Sequence, residues 1–154
     1  MKRLFAIAVV ALSMTGPDAV AADSVAFATI DVYIDSPQPF ASWQFRLSDR
    51  ERATTIVGVE NGDSDAFPDA PWFDRDAVAD GRADRLIVAD YSLAEPSRLP
   101  SGRTRIATLH VMLDAARAPD YRLELVTVTT ADGTRVVAAA SYVTRTVTAT
   151  GSRQ

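Results

Sequence analysis

Apolar and polar residues alternate along most of the chain, with the period of two that is typical of a strand with one buried face. In the first such segment, Ala28, Ile30, Val32 and Ile34 share one face. Segments that alternate in this way, or that are rich in β-branched residues, follow one another at short spacing and predict strands. They cover residues 26–35, 42–47, 54–59, 85–91, 104–113, 121–130 and 135–143.

Turn residues lie between these segments. Asp132-Gly133 stands between two apolar-rich runs and is the strongest hairpin signal in the chain, so residues 135–143 are expected to return against residues 121–130. The apolar density of residues 85–91 predicts a strand that is buried on both faces. No helical stripe of apolar residues follows Ala22. The pattern therefore predicts an all-β fold, a jelly-roll-like antiparallel sandwich of two sheets with about 8–9 strands.

The first 22 residues have the features of a secretory signal peptide. Lys2 and Arg3 precede an uncharged, mostly apolar run that ends at Gly16-Pro17, and small residues follow up to Ala22. That run is too short to span a membrane. We expect cleavage near Ala22 and secretion or residence in the periplasm or at the cell surface, with no membrane span in the mature chain. The sandwich domain is expected over residues 23–146, with a frayed tail at 147–154.

The composition excludes several kinds of chemistry. The chain has no cysteine, and Lys2 is its only lysine, so disulfides, thiol catalysis and Schiff-base chemistry in the mature chain are excluded. The net charge is -4, and the arginines are scattered, which argues against nucleic-acid binding. The single histidine, His110, excludes a histidine-rich metal site and is expected to be a half-exposed sheet residue.

Residues 61–84 form the longest irregular segment and contain Phe67, Trp72 and Phe73 among many aspartates. Three interpretations are open. The aromatic rings could anchor the segment on the sandwich, with the acids solvated. Alternatively, they could form a stacking platform for a sugar ring, with Asp74 and Asp76 accepting hydroxyl hydrogen bonds. Finally, the acids could bind a structural calcium ion, although their spacing does not fit an EF-hand loop; no other metal or cofactor is expected.

Catalysis is not expected. No G-x-S-x-G motif occurs, and no serine stands in a recognisable nucleophile elbow that would use His110 as its base. Two carboxylates would suffice for a glycosidase, but aspartates are so common in this chain that their presence indicates little.

The order of the segments resembles a cohesin domain, within the larger superfamily of sandwiches that includes carbohydrate-binding modules. The resemblance rests on ATIDVYID, on ASWQFRL followed by TTIVGVENGD, on RLIVADYS, and on LPSGRTRIATLHVML. Together these pieces span roughly residues 26–130. Each piece alone is ordinary alternating β sequence, and their order and spacing make the match.

The resemblance implies a nine-stranded jelly roll that binds and does not catalyse. Cohesins present one sheet face to a dockerin, and related sandwiches bind polysaccharide through aromatic platforms. We therefore expect a dockerin-like protein partner on exposed residues of one sheet, namely Gln44, Arg46, Thr108 and His110. The alternatives are polysaccharide binding through Phe67, Trp72, Phe73, Asp74 and Asp76, or a structural role in an envelope or matrix.

Overall fold

A computed structural model describes residues 26–147 of the chain. The predicted signal peptide and residues 148–154 of the predicted tail lie outside the described residues. Eight strands occur within the described range, together with one short α-helix and one 3-10 helix. They are β1 (Ala26–Ser36), β2 (Ser42–Asp49), β3 (Thr54–Asn61), β4 (Trp72–Phe73), α1 (Arg75–Ala79), β5 (Arg85–Tyr91), the 3-10 helix (Pro96–Arg98), β6 (Gly102–Leu113), β7 (Tyr121–Thr129) and β8 (Ala139–Val147).

The strands form two four-stranded antiparallel sheets. The β1 sheet has the order β3-β6-β1-β8, and the β2 sheet has the order β4-β5-β2-β7. The predicted all-β, two-sheet antiparallel sandwich is therefore confirmed. Consecutive strands β1 and β2 lie in different sheets, so the chain crosses between the two layers repeatedly.

The core lies between the sheets and follows from the alternation in each strand. In β1 the side chains of Ile30, Val32 and Ile34 are fully buried, and in β2 Trp43 and Phe45 are buried in the same way. Each such side chain contributes roughly 1.5–3 kcal/mol to stability by leaving water. The intervening residues of β2 point away from the core, which creates a polar outer face on the β2 sheet.

Two expectations about strands are wrong. β5 has the predicted bounds but is not buried on both faces, because Leu86 and Val88 enter the core while Ile87 is 46% exposed on the outer face. Residues 135–143 also do not return as one strand. The amide of Val136 donates a hydrogen bond to the carbonyl of Val128 beside the turn. The chain then crosses to the other sheet, where β8 pairs with β1.

The turn itself forms as predicted. The amide of Thr130 donates to the carbonyl of Thr134 at 2.9 Å, and Gly133 adopts a φ of 84°, which favours glycine. β8 continues to Val147, which is the last described residue and lies one residue beyond the predicted end of the domain.

Candidate functional site

The outer face of the β2 sheet is built from residues that alternate with the core. In β2, Gln44 and Arg46 point outward between the buried side chains of Trp43, Phe45 and Leu47. Register places Ala89 of β5 opposite Gln44, and Ile87 opposite Arg46. The centre of this face is therefore a row of small, apolar and polar side chains.

Trp72 stands at the edge of this row. In β4 it pairs with Ala89, so its side chain lies on the outer face of the sheet, where it is 72% exposed. An open groove of 1070 Å³ runs from Trp72 over the face of β5 and β2. We call it the outer groove; among its lining residues are Trp72, Gln44, Arg46, Asp76, Arg85 and Ile87.

Buried parts of the 61–84 segment hold Trp72 in place. The ring of Phe67 is 4% exposed and stacks on Phe40 with 5.9 Å between ring centroids. It also meets Trp43 edge to face at 6.2 Å. Pro71 is buried next to Trp72. The expectation that Phe67 binds sugar is wrong, because its ring lies in the core and has no face free for a ligand.

Phe73 and α1 form one wall of the outer groove. Phe73 is partly buried against the core, and the guanidinium of Arg75 lies 5.5 Å from the centre of its ring. Asp74 caps α1, since its Oδ1 accepts a hydrogen bond from the amide of Ala77 at 3.0 Å. Asp74 therefore has a structural role, and Trp72 is the ring most available for stacking in this groove.

The charged residues that line the outer groove are balanced in sign, and only some of its polar side chains form ion pairs or hydrogen bonds within the protein. Arg46 pairs with Glu124 at 3.3 Å, and Arg82 pairs with Asp80. Within the described residues, no hydrogen bond or ion pair engages the side chains of Gln44, Asp76 and Arg85. Hydrogen-bond donors and acceptors thus face the groove with no protein partner to compete with a ligand. The lining residues with opposite charges are Asp74, Asp76, Asp84, Arg46, Arg82 and Arg85.

The structure combines residues from two separate predictions. Gln44 and Arg46, predicted for a protein-binding face, line the same groove as Trp72, Phe73, Asp74 and Asp76, predicted for sugar binding. The sequence did not identify Ile87, Arg82 or Arg85 as part of the site. The alternation of Arg85, Ile87 and Ala89 with two buried residues was the signal that could have indicated Ile87.

Thr108 and His110 do not belong to this face. Both lie on β6, in the β1 sheet, so the predicted four-residue face is divided between opposite sides of the sandwich. Thr108 is only 4% exposed, and its hydroxyl donates to Asp31 at 2.7 Å beneath Arg105. Nε2 of His110 lies 3.1 Å from Glu60. The prediction that these residues act together with Gln44 and Arg46 is therefore wrong.

An ion-pair network on the outer face of the β1 sheet surrounds the buried carboxylate of Asp31. This carboxylate is 2% exposed and lies between the guanidinium groups of Arg105 and Arg145. Arg105 also pairs with Asp63, whose pKa is lowered chiefly by that hydrogen bond. The charges of Asp31, Asp63, Arg105 and Arg145 are therefore engaged with one another.

Histidine and thiol chemistry are absent from the outer groove, since the single histidine lies on the opposite sheet and the chain has no cysteine. In the range 26–147, no three acidic or histidine side chains are grouped as a metal ion would require. Calcium binding near Asp74 and Asp76 stays a prediction. No helix in that range is both long and apolar enough to cross a bilayer.

Comparison with family models, curated proteins and solved structures finds no match to the chain. The resemblance to cohesins therefore stays a prediction from the sequence.

Proposed function

We propose that the chain is a non-catalytic binding module that holds a polysaccharide in the outer groove, with Trp72 as the ring on which a sugar stacks. The observation that carries the proposal is the 72% exposure of Trp72 at the edge of a groove with free polar groups. Covering so exposed an indole with the apolar face of a ligand removes apolar surface from water and favours binding. The apolar face of a pyranose ring is such a surface.

The chemistry of the groove floor supports a sugar ligand. Gln44 offers an amide donor and acceptor, Asp76 accepts, and Arg85 donates, which suits a ligand whose hydroxyls both donate and accept. Ile87 and Ala89 provide the apolar strip between them. The groove is open along its length, so it fits a chain running through it better than a small molecule that must be enclosed.

A protein partner on a single sheet face fits the geometry less well. The four residues predicted for that face lie on opposite sheets, and Thr108 is buried. Export, which residues 1–22 predict, would bring the outer groove into contact with polysaccharide outside the cytoplasm.

Depletion binding to insoluble polysaccharides tests the proposal. The purified protein is mixed with cellulose, xylan and chitin, and the unbound fraction is measured. Trp72→Ala should weaken the binding by about tenfold or more, because it removes the stacking surface. It should leave the unfolding temperature nearly unchanged, since an exposed side chain contributes little to folding.

Phe27→Ala is the matched control, because Phe27 is an aromatic residue 45% exposed on the opposite sheet. It should bind as the unchanged protein does. Equal binding by Trp72→Ala and the unchanged protein would contradict the role of Trp72. If the unchanged protein retains none of the polysaccharides, the proposal is overturned, and a protein partner or a structural role takes its place.

A further inference from the structure

A second groove adjoins the outer groove at Trp72. It has a volume of 580 Å³, and we call it the side groove. Trp72 lines both grooves, while Tyr91 and Leu93 line the side groove alone. These two residues are 61% and 91% exposed. An apolar surface thus continues past Trp72, beyond the end of β5.

Trp72 and Tyr91 form a pair of rings on one face. Tyr91 follows Ala89 by two residues in β5, so both point outward, and Trp72 faces Ala89 from β4. The two residues therefore occupy diagonal positions on neighbouring strands, and the Cα atoms of such positions lie roughly 7–8 Å apart. Two exposed rings that line one groove offer stacking surfaces for more than one unit of a polymer.

Charge distinguishes the side groove from the outer groove. Asp65, Asp69 and Asp90 line it, and Arg98 is its only lining residue of opposite charge. Burial raises the pKa of Asp90, partly offset by its hydrogen bond from the amide of Tyr91, and repulsion from Asp69 raises it further. A cation between Asp69 and Asp90 would relieve that repulsion.

We propose that the side groove extends the polysaccharide site and selects a polymer whose sugars carry protonated amines, such as a glucosamine polymer. This inference rests on the proposed function. The carboxylates supply the charge complement, and the faces of Trp72 and Tyr91 attract a cation as well as a sugar ring. A neutral polysaccharide would gain the stacking and lack the charge interaction.

Isothermal titration with three matched β-1,4-linked hexamers tests the selectivity at mildly acidic pH. The hexamers are built of glucosamine, N-acetylglucosamine and glucose. The glucosamine hexamer should bind about tenfold more tightly than either neutral hexamer, because charge-assisted hydrogen bonds add to the stacking. Hexalysine is the fourth ligand and tests whether charge alone suffices.

Asp90→Asn should reduce the glucosamine affinity to that of the neutral hexamers and leave the neutral affinities unchanged. The asparagine can still accept from Tyr91, so the fold is retained. Asp35→Asn is the matched control, because Asp35 is an exposed aspartate on the opposite sheet. It removes the same charge and should keep the selectivity.

The outcomes separate the two proposals. Equal affinity for all three hexamers overturns the amine selectivity and leaves the proposed function standing. Binding of none overturns the amine selectivity, and it overturns the proposed function as well if xylan is also not retained in the depletion assay. Hexalysine binding as tight as that of the glucosamine hexamer, and unaffected by Trp72→Ala, would make the side groove a site for cationic peptide and overturn the inference.

Discussion

Asp49 joins two loops through a single buried carboxylate. Its side chain is among the buried polar groups, at 5% exposure. Oδ1 accepts from the amides of Glu51 and Asp120 at 3.1 and 2.8 Å, and Oδ2 accepts from the amide of Ala53 at 2.8 Å. Burial alone would raise the pKa of Asp49, but the hydrogen bonds from Asp120, Thr54, Glu51 and Ala53 outweigh it and lower that pKa.

Asp49→Asn should lower the free energy of unfolding at neutral pH by about 2 kcal/mol, because an amide nitrogen would replace one oxygen that accepts from backbone amides. Denaturant unfolding measures this value. Asp35→Asn, at an exposed aspartate of β1, is the control and should change the free energy of unfolding little.

The difference in free energy of unfolding between the unchanged protein and Asp49→Asn should depend on pH. The pKa of Asp49 is lower in the folded state than in the unfolded state, where it is about 3.9. The carboxylate therefore contributes its full stabilisation above the unfolded pKa, and this stabilisation is lost as the pH falls through the folded pKa. The stability gap between the unchanged protein and Asp49→Asn should therefore narrow as the pH falls below about 4. A gap that widens over that range would contradict the assignment.

At the scale of elements, the 61–84 segment is tied to the sandwich where it leaves β3. The amide of Asp63 donates to the carbonyl of Arg105 at 3.0 Å. The preceding residue, Gly62, lies so close to β6 that a Cβ there would meet the same carbonyl oxygen at 1.9 Å. Only glycine fits this approach, and the approach sets where the segment carrying Trp72 begins.

Gly62→Ala should lower the free energy of unfolding by about 2–3 kcal/mol, because the backbone of β6 must move to admit the methyl group. Thermal or denaturant unfolding measures it. Gly58→Ala in β3 is the matched control, since its added Cβ would meet nothing closer than 3.8 Å. Equal stability of the two variants would show that the approach at Gly62 is not required.

The sequence predicted the long strands well and the short elements poorly. The predicted bounds of β5 agree with the observed ones, because a run of apolar residues between charged ones predicts a strand from local sequence alone. β4 has two residues and exists only through pairing with β5, so local pattern contains no signal for it. The five residues of α1 are too few to show a helical stripe. Its N-cap, Asp74, is the available signal in the sequence, but a carboxylate at this position suits a sugar or calcium ligand equally well.

For the molecule as a whole, the alternation in β2 and β6 predicted which of their side chains point outward but did not predict from which sheet they do so. Gln44 and Thr108 both alternate with core residues, and this alternation is the same on either side of a sandwich. The assignment depends on long-range pairing, in which β1 takes β6 and β8 as neighbours while β2 takes β5 and β7. Of the residues predicted for binding, Gln44, Arg46, Trp72, Phe73, Asp74 and Asp76 line the outer groove. Phe67 lies in the core, and Thr108 and His110 lie on the opposite sheet.

The two tryptophans lie in opposite environments. Trp43 is 1% exposed in the core and Trp72 is 72% exposed at the outer groove. These are the only tryptophans in the chain, so their indole N–H signals report separately on the core and on the site.

Titration of the ¹⁵N-labelled protein with a β-1,4-linked sugar hexamer, followed by NMR, shows directly whether Trp72 and the outer groove bind sugar. The indole signal of Trp72 and the amides of Gln44, Arg46 and Ala89 should shift with one saturating curve, while the indole signal of Trp43 and the amides around Asp31 should stay in place. Shifts confined to the β1 sheet, or no shift of Trp72 at saturating hexamer, would contradict sugar binding in the outer groove.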